Sequence, residues 1–155
     1  MNKQDAYDTV FAQIAAVLDG EPNVTARMAT VSCLLAEAFP DRFYWTGFYI
    51  VDVACENELV VGPYQGTLGC LRIKFGKGVC GTAAATRQTQ VVEDVHAVRN
   101  HIACDSKTNS EIVVPVVDRA GKLIAVLDVD STDFGAFDQI DKRNLEGLMA
   151  SVFAG

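Results

Sequence analysis

Two apolar, β-branched runs, Ile112-Val113-Val114-Pro115-Val116-Val117 and Leu123-Ile124-Ala125-Val126-Leu127-Asp128-Val129, flank Asp118-Arg119-Ala120-Gly121. The runs have strand composition and the four residues between them are turn-formers, so the segment predicts a β-hairpin. A hairpin makes its strands antiparallel and commits the chain to a sheet whose apolar face must be covered by something else. Pro115 cannot donate a hydrogen bond to a ladder, which predicts that its strand lies at an edge or is bulged.

Three more runs read as strands: Phe43 to Val51, rich in aromatic and β-branched residues, then Glu58-Leu59-Val60-Val61 and Leu71-Arg72-Ile73-Lys74-Phe75. The cover comes from helical periodicity. Residues 4–19 place Tyr7, Val10, Phe11, Ile14, Val17 and Leu18 on one face and stop at Gly20 and Pro22. Asn23 is a good N-cap for a second helix, with Val24, Met28, Val31 and Leu35 as its apolar face and Pro40 as its end. A last helix is predicted from about Asp138 to Phe153, with Leu145, Leu148, Met149 and Val152 inward. Two helices, strands, a helical interlude, a hairpin and a helix make an α+β chain with a central antiparallel sheet flanked by helices. With no repeat and no linker, the 155 residues are expected to form a single domain over 1–155.

Composition narrows the function. The formal charge is −7 and no basic run is present, which argues against a nucleic-acid partner and suits a small substrate that carries an ammonium group. No apolar run reaches the ~18 residues of a membrane span. The polar start, Met1 to Asp5, lacks the pattern of a signal peptide, so a cytoplasmic protein with no membrane contact is expected.

In that setting five cysteines need a reason, because structural disulfides are uncommon in the cytosol. Cys33, in an amphipathic helical stretch, reads as a buried small hydrophobe, and Cys55 as incidental to a turn. Cys70, Cys80 and Cys104 sit in glycine-rich or polar surroundings. Around Cys80, Gly76-Lys77-Gly78-Val79-Cys80-Gly81 reads as a tight turn before a helix start; it lacks the ending of a P-loop. Both histidines, His96 and His101, lie within nine residues of Cys104. Three chemistries compete there. A zinc site from His96, His101 and Cys104 with Cys70 or Cys80 has a spacing that fits no common zinc pattern. A Cys104–His101 hydrolase needs an orienting group and an oxyanion hole. A redox site, with Cys104 attacking and Cys70 or Cys80 resolving, is the reading that uses the spare thiols.

Carboxylates form the other unusual group. Asp128 and Asp130 are two apart on a predicted strand and point to one face; hairpin pairing brings Glu111 near the same end. Such a cluster is either a solvated strand end or a site that holds a cation or a raised-pKa proton donor.

Taken together, these segments resemble the free methionine-(R)-sulfoxide reductases, which are built on the GAF fold. The matching pieces run from Trp45 to Ser131. They include Trp45-Thr46-Gly47-Phe48-Tyr49, Gly62-Pro63-Tyr64-Gln65-Gly66, Cys70 and Gly76-Lys77-Gly78-Val79-Cys80-Gly81. His101-Ile102-Ala103-Cys104-Asp105, Ser110-Glu111-Ile112-Val113-Val114-Pro115 and Leu127-Asp128-Val129-Asp130-Ser131 complete the set. Residues 97–100 depart from the family, which often has an aromatic residue and a proline there. The resemblance implies Cys104 as attacking thiol, Cys70 as main resolving cysteine and Cys80 as an alternative. It implies Glu111, Asp128 and Asp130 around the substrate's ammonium and sulfoxide groups, and Trp45 and Tyr49 as the wall for its methyl group. Backbone N–H groups before Cys104 would receive its carboxylate. It further implies thioredoxin as reductant, leaves a homodimer open, and calls for no cofactor and no metal. The competing reading within the same fold is a non-enzymatic GAF sensor of a small ligand.

Overall fold

The computed structural model describes residues 2–102 and 104–155. Helix α1 (Lys3–Leu18) begins where the Asn2 side chain accepts a hydrogen bond from the Asp5 N–H, and α2 (Val24–Ala38) where Asn23 does the same for Ala26. Then follow β1 (Trp45–Val51), β2 (Glu58–Gln65), β3 (Arg72–Lys74), α3 (Gly78–Thr86) and β4 (Gln90–Val92). A 3₁₀ turn at Val95–Ala97 leads on to β5 (Ser110–Val117), β6 (Leu123–Ser131) and α4 (Gln139–Met149). The six strands form one antiparallel sheet in the order β3-β2-β1-β6-β5-β4, so the expected α+β architecture holds.

The predicted hairpin is β5–β6. Gly121 takes a left-handed φ of 83°, and Asp118 accepts hydrogen bonds from the Ala120 and Lys122 N–H groups, closing the turn. β4 pairs only with Glu111, Ile112 and Val113, so Pro115 lies past the end of that neighbour, and the β6 pairing slips just beyond it at Val116/Val117. β5 is not an edge strand, because β4 lies outside it, but its outer neighbour stops before Pro115 and the irregularity predicted as the alternative is present.

Alternation along the strands sends Phe48, Ile112, Val114, Leu127 and Val129 to one face, beneath α1, α2 and α4. The other face carries Trp45, Tyr49, Val113 and Val126 beneath α3. A buried ionic tie fastens the helices of the first face. The Asp141 carboxylate, fully buried at the start of α4, takes the Tyr7 hydroxyl at 2.6 Å, the Lys3 ammonium at 2.7 Å and the Arg42 guanidinium at 3.1 Å.

Several sequence expectations need correction. Val17 and Val24 are exposed, because the buried stripe of α1 is the narrower Tyr7, Val10, Ile14, Leu18, and α2 buries Leu34 instead. Cys33 is half-buried, one position off the buried α2 stripe. Val152 is half-buried and Phe153 is inside against Phe48, because the chain widens into a π turn at Ala150–Ala154 and rotates the last residues. β4 has no counterpart in the sequence reading; three residues are too few to show a period.

Candidate active site

Cross-strand register builds the site. Trp45 on β1, Asp130 on β6 and Glu111 on β5 are consecutive partners across the sheet, and Asp128 sits one pleat along, opposite Gly47 and Val113. All four side chains therefore stand on the face that α3 covers. Trp45 stacks on Tyr49 at 5.6 Å and on Tyr64 at 4.8 Å, making an aromatic wall beside the acids. The connection from β2 to β3 lies against this wall. Gly69 permits the approach, since a methyl group there would come within 3.0 Å of the Trp45 ring and of the Tyr49 hydroxyl. At the start of α3, Gly78 has a left-handed φ of 62° and packs against Ile102, so the helix and the Cys104 segment meet at a residue without a side chain.

The result is a pocket lined by Trp45, Tyr49, Cys80, His101, Cys104, Glu111, Asp128 and Asp130 among others. A disulfide joins Cys70 to Cys104 at its mouth, with Cα atoms 5.5 Å apart, inside the range such bonds need.

Electrostatically the pocket floor is unusual. Glu111 and Asp128 are buried, and among the described residues Oδ1 of Asp128 and Oδ1 of Asp130 are buried without a hydrogen-bond partner. Burial first, and then the charge of a neighbouring acid, pushes all three carboxyls well above the usual carboxylate range: Asp128 acts on Glu111, Asp130 on Asp128, and Glu111 on Asp130. The Tyr49 hydroxyl is likewise pushed up by burial and by the same acids. Over the floor, the His101 ring stands 3.8 Å from the Glu111 carboxyl, and burial holds its pKa below the ordinary histidine value, with a smaller push from His96.

Every cysteine, carboxylate and aromatic residue to which the family resemblance gives a role lines this pocket or closes it, but Cys80 is more deeply buried than its polar, glycine-rich surroundings suggested. It is buried in the first turn of α3 among Leu59, Ile73 and Ala83, and burial followed by the three acids pushes its thiol well above the usual value. The glycines around it form the tight turn into α3 that the sequence predicts, and that turn packs on the sheet and buries the thiol. The zinc set drawn from the sequence is not assembled: His96 is on the surface, bonded to Asp94 at 2.8 Å, and Cys104 is bonded to Cys70. The described residues that could meet on a metal are instead Cys80, Glu111 and Asp128, whose ligand atoms lie within 4.8 Å of one another. Their raised pKa values keep protons on the groups a metal would have to displace. The backbone donors expected before Cys104 include Ala103, which lies outside the described residues.

Sequence reasoning missed three residues at the mouth. The Asp105 carboxylate accepts the Tyr44 hydroxyl at 2.9 Å and the Thr67 hydroxyl at 2.6 Å. Both partners are polar residues beside recognisable motifs, 61 and 38 positions away. No local pattern links them.

A curled antiparallel sheet with helices on both faces and a pocket beneath α3 is the form of a GAF domain. The family model described as "GAF domain" matches residues 25–152, and the chain belongs to that family. The relatives narrow it further. The free methionine-R-sulfoxide reductase of Saccharomyces cerevisiae is 41% identical over 96% of this chain and 84% of its own length, and that of Escherichia coli 44% identical over 98% and 89%. The X-ray structure of the free methionine-R-sulfoxide reductase of Neisseria meningitidis in complex with its substrate superposes with a TM-score of 0.92 at 43% identity, covering 98% of this chain and 89% of that one. Within the GAF family the chain therefore belongs with the free methionine-R-sulfoxide reductases, a group of oxidoreductases.

Proposed function

We propose that this chain reduces free L-methionine-(R)-sulfoxide to methionine, and that Cys104 is the attacking thiol. The observation that carries the reading is the Cys70–Cys104 disulfide placed over a pocket floored by Glu111, Asp128 and Asp130. A sensor needs neither a paired thiol at its mouth nor a floor of buried acids.

A sulfoxide oxygen is a poor leaving group until protonated, so attack at sulfur calls for an acid beside it. A carboxyl with a raised pKa supplies that proton at neutral pH. Asp130 is our choice for the sulfoxide side, with Glu111 and Asp128 toward the ammonium. Trp45 and Tyr49 wall the methyl group. Acidic neighbours disfavour a thiolate, and the bound ammonium offsets part of that field. The Cys104 sulfur adds to the protonated sulfoxide sulfur to give a sulfurane. The oxygen then moves from that sulfur to the Cys104 sulfur as the bond between the two sulfurs breaks, so that methionine departs and Cys104 is left as a sulfenic acid. The Cys70 thiol then condenses with it, releasing water and forming the disulfide. A dithiol protein, for which thioredoxin is our candidate, restores both thiols by exchange and leaves oxidised. Cys80 must be uncovered from α3 before it can replace Cys70.

The test is a reductase assay with free methionine-R-sulfoxide, its S epimer and a peptide-bound sulfoxide. Turnover confined to the free R form supports the reading. Equal turnover of the peptide-bound form, or none of any, refutes it.

A further inference from the structure

Two segments far apart in sequence must meet for the disulfide to form: the β2–β3 connection with Cys70 and the segment with Cys104. Beside the sulfur pair, a second link joins them. Asp105, the residue after Cys104, accepts the hydroxyl of Thr67, three residues before Cys70, at 2.6 Å. The same oxygen accepts the Tyr44 hydroxyl at 2.9 Å, and the other carboxylate oxygen accepts the Lys107 N–H at 2.9 Å. Each end of the link is anchored. The Trp45 ring N–H donates to the Thr67 carbonyl at 2.8 Å, and the Tyr44 N–H donates to the Asp130 carbonyl at 2.8 Å. Asp105 is thus a node between the aromatic wall, the Cys70 segment and the Cys104 segment, lining the same pocket as the three acids.

We infer that Asp105 is a positioning residue for the resolving step, a carboxylate that fastens the Thr67–Cys70 segment to the Cys104 segment so that the Cys70 thiol meets the Cys104 sulfenic acid. The inference rests on the reductase reading for its place in the cycle, but the step itself does not require methionine sulfoxide. Peroxide also oxidises a thiol to a sulfenic acid, being itself reduced to water, after which Cys70 condenses with Cys104 and releases a second water. The Thr67 and Tyr44 hydroxyls and the Lys107 N–H all favour the ionised form of Asp105, so the acceptor persists at neutral pH. A bond this close to the sulfur pair fixes the approach of the two sulfurs. A misplacement on the order of 1 Å can cost as much as roughly a hundredfold in rate.

The experiment uses the reduced full chain and hydrogen peroxide, following sulfenic acid by dimedone trapping and disulfide by mass mapping. Thr67→Val, which alters an exposed side chain and no charge, should leave sulfenic acid formation at its wild-type rate. Asp105→Ala also removes a negative charge beside Cys104, so its resolution is followed from sulfenic acid already formed. Both should slow disulfide formation on the order of tenfold to a hundredfold, so that trapped adduct accumulates. Thr67→Ser keeps the hydroxyl and should resolve at the wild-type rate. The double variant should be no slower than Asp105→Ala, because both changes remove the same bond. Wild-type resolution in Thr67→Val and Asp105→Ala overturns the inference. So does slowing of sulfenic acid formation by the same factor in Thr67→Val, which would place the link in the attack, or full additivity in the double variant. Failure of the wild type on methionine sulfoxide with these peroxide results intact would overturn the substrate reading alone.

Discussion

Asp128→Asn is the perturbation whose outcome follows most directly from the pocket floor. Asp128 is almost completely buried, one of its oxygens has no partner among the described residues, and its pKa is held well above the carboxylate range, by burial first and then by Asp130. A carboxyl whose pKa is higher in the folded than in the unfolded chain retains a proton that the unfolded chain has lost. Folding is then favoured below the unfolded pKa and loses stability as pH rises toward the folded one, at about 1.4 kcal/mol per pH unit for each whole proton retained. Between pH 6.5 and 8 the unfolded carboxyls are ionised, and the contribution of His101, whose pKa is lowered in the fold, is common to wild type and variant and cancels in the comparison. The near-isosteric asparagine removes one such group. The variant should lose up to about 1.4 kcal/mol less per pH unit than the wild type over that interval. For a chain of this size that is on the order of 3–6 °C in Tm. Thermal unfolding of the oxidised, substrate-free protein at several pH values reads the effect, with the variant more stable at pH 8. Parallel Tm–pH curves would refute the argument, since they would mean that Asp128 is ionised in the fold.

Further outcomes follow from the same geometry. Cys104→Ser should abolish turnover even with a small dithiol, whereas Cys70→Ser should complete one turnover and fail with a protein reductant; burst and steady-state assays separate the two. N-acetylation of methionine-R-sulfoxide removes the cation that the buried acids would meet and should lower kcat/KM by roughly 10⁴-fold, a size seen when a site built for a polar group meets an analogue lacking it; comparable values for the two compounds would place recognition elsewhere. Asp141→Ala leaves Lys3, Arg42 and Tyr7 without their shared partner and should destabilise the fold by about 3–5 kcal/mol. Denaturant titration reads that loss, and the redox site on the opposite face of the sheet should keep its activity in the molecules that remain folded.

Much of this was legible in the sequence because it is local. The hairpin has its turn written between its strands, Asn23 caps the helix that follows it, and the period of two in Asp128-Val129-Asp130 forces both acids to one face. The chemistry was legible where residue types are rare, as with Cys70 and Cys104. What failed was what depends on distant partners. Cys80 looked exposed because glycines surround it, yet those glycines serve the packing of α3 on the sheet. The Asp105 node joins residues from three segments, and Asp141 gathers partners from α1 and from the segment before β1. Neither leaves a mark in any short window of sequence.

The closed Cys70–Cys104 disulfide has a kinetic consequence. With its sulfur bonded to Cys70, Cys104 has no thiol with which to attack a second sulfoxide until a reductant has opened the bond. Sulfoxide and dithiol then react with separate forms of the catalyst. Double-reciprocal plots at several reductant concentrations should run parallel. The disulfide would then be the device that sorts the two co-reactants in time.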